Sequence, residues 1–128
     1  MLKTVSRVAL LLTFAPALLL AAGFLIAPEA LAPRLSLLAD GADGLSSLRG
    51  DFLAFFGVLG GFALWAARTA DRRWLAAPIA LLVLVLIGRG TSAVVDGAGT
   101  DSLVLMAAEA LMLAVALFAW RALGGSRP

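Results

Sequence analysis

Two opposite charges, Arg89 and Glu109, stand inside long apolar stretches, and they are the residues most able to do chemistry here. Alone in hydrocarbon, either would cost about 2.5–3.5 kcal/mol near the centre of an inserted helix. Each lies about 10 Å from the outer end of its own stretch at 1.5 Å per helical residue, so the two are expected to neutralise one another. Arg89, Ser92 and Asp96 recur at i, i+3 and i+7, a spacing that puts them on one face of a helix. Arg49 and Asp51 open another apolar stretch at the same outer level. Asp51 suits a helix N-terminus, with Ser46 or Ser47 as the cap. Arg49, Asp51, Arg89, Ser92, Asp96 and Glu109 are therefore expected to form one polar cluster within the protein. Such a cluster either fixes helix register or serves a binding site or a proton or ion path.

The remaining chemistry is narrow. The sequence has no Cys, His or Tyr, which removes thiol chemistry and the commonest zinc ligands and general bases. No metal-ligand set and no nucleophile–base pair can be assembled from what is left, so neither a cofactor, a metal nor an enzymatic reaction is expected. Arg49-Gly50-Asp51 spells an adhesion tripeptide but reads as the start of a helix. Met106 and Met112 read as lipid-facing or packing residues, not as a metal path. Gly88-Arg89-Gly90 follows no strand and is no phosphate loop.

The elements that must position these residues are helices in lipid. Of the 128 residues 62% are hydrophobic and 14% charged, against about 25% charged in a soluble domain. The net charge of +2 comes from basic residues scattered singly or in pairs, which is no nucleic-acid surface. A hydrocarbon core about 30 Å thick needs about 20 apolar residues. Four such runs occur, at about 5–26, 48–67, 73–95 and 102–123, giving a single all-α domain, an integral membrane four-helix bundle. Pro16 is expected to kink the first span, while Pro78 falls in the first turns of the third, where its missing amide costs little. Lys3 and Arg7 before an apolar run resemble a signal peptide. The run exceeds a signal core, however, and Ala30-Leu31-Ala32 is followed by Pro33, so the segment is expected to stay as a span.

Basic residues set the orientation. Lys3, Arg7, Arg68, Arg72, Arg73, Arg121 and Arg127 share the side of the termini, whereas Arg34, Arg49 and Arg89 fall on the other with Glu29, Asp40, Asp43, Asp96 and Asp101. Both termini are thus expected in the cytoplasm of a multi-pass inner-membrane protein. Trp65, Trp74 and Trp120 fall at the cytoplasmic ends, as an interfacial belt requires. The longest connection, 27–47, is expected on the outer side as an ordered loop with buried leucines. Short helical pieces are expected at Pro28–Leu31 and Arg34–Leu38. Gly57 and Gly61 make a GxxxG spacing that lets helices pack closely, and Gly88 and Gly90 are expected to admit a neighbouring helix beside Arg89.

The order of Arg49, Phe52, Phe56 and Gly57, then Gly88-Arg89, Ser92 and Asp96-Gly97, then Glu109 resembles a family of small bacterial four-helix membrane proteins known as domain of unknown function 4345. Members often carry a Tyr near the start of the second span, where this chain has Phe. The resemblance implies the fold and points to Arg49, Arg89, Asp96 and Glu109; it implies no reaction. Two functions are expected from these features. The first is a non-enzymatic scaffold or accessory subunit, partnered by the lipid bilayer and by a second copy or a larger membrane complex. The alternative is a small transporter or channel component passing a proton, ion or small solute through the Arg89–Glu109 region.

Overall fold

The computed structural model describes residues 1–124, so Arg127 lies outside the described residues. The chain is all-α. Its order is α1 (Leu2–Ile26), α2 (Pro28–Leu31), a 3-10 turn (Ala32–Leu35), α3 (Gly41–Thr69), a second 3-10 turn (Arg72–Leu75), α4 (Ala76–Val95) and α5 (Thr100–Gly124). Among the described residues, four segments are long and apolar enough to cross a membrane: Leu2–Ile26, Gly41–Thr69, Arg72–Val95 and Thr100–Gly124.

The closest pairing is α1 on α3. In α1, Leu10, Phe14, Ala17, Ala21 and Phe24 are buried, a 4-3-4-3 spacing that makes one stripe along a helix. Opposite it α3 buries Leu59, Gly60, Ala63, Ala66 and Ala67. Small residues at these positions let the backbones approach. At Gly60 the approach is tightest: a Cβ there would lie 2.9 Å from Leu18 Cγ, 3.0 Å from the Leu18 amide nitrogen and 3.1 Å from the Phe14 carbonyl oxygen. The expected contact at Gly57 and Gly61 is not made within the chain, since a Cβ at either would meet nothing within 4 Å. Both lie on the same side of the line on which Gly60, Ala63 and Ala67 face α1, turned from it by about 90–130°, because each residue turns the helix by about 100°. Pro16 sits inside α1 without ending it.

The bundle is closed at one end and open at the other. Leu75, Leu82, Ala116, Ala119 and Leu123 complete the main core with Ala63, Ala66 and Ala67. The buried residues of α4 are Pro78 and Leu82, and those of α5 are Ala116, Ala119 and Leu123. All lie in the halves nearest the Arg72–Leu75 turn. Polar ties hold this end. Arg7 donates from Nε to the Ala67 carbonyl and from an Nη to that of Arg68, satisfying acceptors that a helix C-terminus leaves free. Asp71 caps the 3-10 turn by accepting from the Arg73 amide at 2.9 Å. The Arg72 guanidinium stands 5.3 Å from the Trp120 ring centre. Trp65 and Trp74 meet edge-to-face at the same end.

At the open end, α3 begins at Gly41, earlier than the expected start near Leu48, and its N-cap position is Asp40 instead of Ser46 or Ser47. The glycines that read as loop are used for fit: Gly41 takes φ +59, and a Cβ on Gly44 would come within 3.2 Å of the Ala39 backbone. With 29 residues, α3 is about 44 Å long, which exceeds a hydrocarbon core by about 14 Å. Over that end runs a strap, 27–40. Ala27 leaves the helical region (φ -140, ψ 67) before Pro28, which opens α2, since a residue before proline is disfavoured in the α conformation. The second expected helical piece is displaced, to Ala32–Leu35, and it ends where Ser36 turns left-handed at φ +59. Leu31, Leu35 and Leu37 from the strap pack on Phe24, Ala32 and Leu48 in a second core. Phe24 stacks on Phe52 there at 4.5 Å.

Candidate functional site: a chamber in the open half

Between α3 and the outward halves of α4 and α5 lies a cavity of about 540 Å³. Its base is Leu59 and Leu82, both buried. One wall is Phe52, Phe55 and Phe56 of α3, and the other comes from Val85 of α4 with Leu105, Ala108 and Met112 of α5. Leu35 reaches it from the strap. Leu20 of α1 and three ionisable groups, Asp51, Arg89 and Glu109, complete the lining.

The α4–α5 hairpin brings Arg89 and Glu109 together. Gly97 takes φ +85 in the turn, a conformation that favours glycine, and the helices then run antiparallel. Arg89 Nε donates to both Glu109 carboxylate oxygens, at 2.9 and 2.8 Å. The side chains are 31% and 15% exposed respectively. The terminal Nη groups of Arg89 make no hydrogen bond among the described residues, and neither does Asp51.

The other expected members of the cluster stand apart. Arg49 donates from Nε to the Leu25 carbonyl at 3.3 Å, where a cation meets the C-terminal end of α1. Arg49 and Asp51 are two positions apart, about 200° around a helix, so they cannot serve one site. Ser92 Oγ donates to Asp96 Oδ2 at 3.1 Å, and both residues are exposed. Asp96 is already the C-cap of α4, so the helical spacing that aligned it with Arg89 stops short of it. Instead of one cluster there are three separate polar sites, and only Arg89, Glu109 and Asp51 share the chamber. Gly88 and Gly90 have no neighbour within 4 Å of a Cβ, so no helix packs over Arg89 through them. Among the described residues no three His, Cys, Asp or Glu side chains converge as a metal site would need.

No family model, no curated protein and no solved structure matches this chain. The aromatic wall is the part that sequence reasoning missed. Phe52, Phe55 and Phe56 recur at i, i+3 and i+4, a one-face spacing that could have marked it. Phe55 meets Phe56 edge-on at 5.1 Å, and Phe52 lies 6.0 Å from Phe56. Outside the chamber, Gly57 and Gly61 floor a shallow groove edged by Phe62, Trp65 and Trp74.

Proposed function

We propose that this chain is an integral membrane protein of four spans with both termini in the cytoplasm, and that its chamber binds a small, largely apolar molecule, as a transporter component would. Four apolar helices of spanning length support the membrane reading. Lys3, Arg7, Arg68, Arg72, Arg73 and Arg121 all belong to the closed end, which by the distribution of basic residues is the cytoplasmic one. The chamber then opens in the outer half of the bilayer. The resemblance to the bacterial four-helix family fits this placement and belongs to the same proposal.

The observation that carries the functional reading is the cavity itself. Its volume falls within the range of about 300–1,000 Å³ usual for small-molecule sites, and apolar walls with a few polar groups are their usual construction. An ion pair kept only to fix register would be better packed over than left lining open space. With one guanidinium, two carboxyl groups and no nucleophile, the role is binding without catalysis.

The test is saturable binding of the neutral dye N-phenyl-1-naphthylamine to the purified protein in nanodiscs. Ala108→Trp places an indole in the chamber and should abolish the dye signal while helicity is retained. Equal binding by wild type and variant would refute the reading. The accessory-subunit reading is favoured by one separate observation, the Gly57–Gly61 face that no helix of this chain covers. Loss of a co-purifying protein on Gly61→Leu, with dye binding intact, would support it.

A further inference from the structure

We infer that the chamber selects a lipophilic organic cation. The inference rests on the chamber being a binding site and adds the charge of its occupant. Glu109 takes the Arg89 Nε through both of its oxygens, so that pair is neutral as a unit. Asp51 lines the same cavity and has no hydrogen bond or ion pair among the described residues. The lining therefore carries one unbalanced negative charge, on Asp51.

Asp51 is exposed and has no partner within the protein, so an occupant of opposite charge gains a Coulomb attraction at the cavity that a neutral molecule or an anion does not. The wall beside it has the matching chemistry. Phe52, Phe55 and Phe56 are tilted or edge-on to one another and line the cavity. Aromatic faces attract cations through their quadrupole, and quaternary ammonium recognition relies on them. A small metal cation is a poor fit, since calcium and magnesium require six or more oxygen ligands and the chamber offers mainly carbon. The occupant that satisfies size, wall and charge together is a bulky, weakly hydrated monocation.

Two probes of nearly one shape and opposite charge test this. Tetraphenylphosphonium and tetraphenylborate are titrated separately into the protein in uncharged detergent, with N-phenyl-1-naphthylamine as the neutral reference. The expected result is saturable phosphonium binding about tenfold or more tighter than borate, from the lost counter-charge and the aromatic contacts. Asp51 is exposed and makes no hydrogen bond, so Asp51→Asn should fold; it should weaken phosphonium binding about tenfold, well beyond any change it causes in neutral-dye binding. Glu109→Gln frees Arg89 and should narrow or invert the preference. Borate binding as tightly as phosphonium, or dye binding with neither ion, would overturn the cation assignment and leave the chamber standing. If the dye also fails to bind, the chamber reading falls with it.

Discussion

Replacing Arg89 and Glu109 singly and together by leucine separates a coupled pair from two independent charges. Two unit charges about 4 Å apart attract by about 4 kcal/mol at an effective dielectric constant near 20. Side-chain ordering and lost hydration reduce this, the former by up to about 2 kcal/mol for a long side chain. The two partners are unequal: the Glu109 side chain is 15% exposed and that of Arg89 31%. Arg89→Leu strands the more buried charge and should cost about 2–3 kcal/mol, below the 3–5 typical of a fully buried pair. Glu109→Leu strands a guanidinium that has a flexible stem and can turn toward water, so about 1–2 kcal/mol is expected. The double variant leaves two leucines in an apolar surround and should lose no more than about 1 kcal/mol. The coupling is then at least about 2 kcal/mol, read from reversible SDS unfolding followed by circular dichroism. A double variant whose loss equals the sum of the singles within about 0.5 kcal/mol would refute the coupling. Glu109→Leu costing more than Arg89→Leu would refute the argument from exposure.

Three further outcomes follow from the packing. Gly60→Leu should destabilise by about 1–3 kcal/mol or more in the same assay, since the Leu18 and Phe14 backbone must move, while Gly57→Ala and Gly61→Ala should be near neutral for the isolated chain. Arg7→Ala should cost about 1 kcal/mol by leaving the Ala67 and Arg68 carbonyls without their donor. The sequence has no Cys, so single cysteines report topology: Ala30→Cys should react with a membrane-impermeant maleimide on intact cells, and Thr69→Cys only after lysis. Equal labelling of both would contradict the orientation.

The helices and the Arg89–Glu109 meeting were legible because both rest on length and depth, which a sequence records directly. Apolar runs of spanning length announce themselves, and two opposite charges at matching depth on consecutive helices need only an antiparallel hairpin to join. What stayed hidden depends on rotation about the helix axis. Gly57 and Gly61 have the spacing of a packing motif, yet Gly60 is the residue that touches α1, because Phe14 and Leu18 set which azimuth of α3 is covered. Arg49 was grouped with Asp51 by level, and rotation sends it to the Leu25 carbonyl instead. The start of α3 was masked by Gly41 and Gly44, which read locally as loop and serve here to bring the strap close.

The chamber is a consequence of where small and large residues fall. At the closed end Ala63, Ala66, Ala67, Ala116 and Ala119 allow α3 and α5 to meet α1 closely. Two to three turns further out, α3 places Phe52, Phe55 and Phe56 where small residues would be needed to continue that fit, and α5 places Glu109. Bulk on one side and a charge on the other cannot close on each other without burying the carboxylate against rings. The Arg89 side chain relieves this only partly: it satisfies Glu109 and leaves Asp51 unanswered on the opposite wall. If that account is right, Phe55→Ala with Phe56→Ala should let α4 and α5 settle inward and shrink the dye-binding space instead of enlarging it. Enlarged dye capacity in that double variant would show that the rings fill the chamber and do not hold it open.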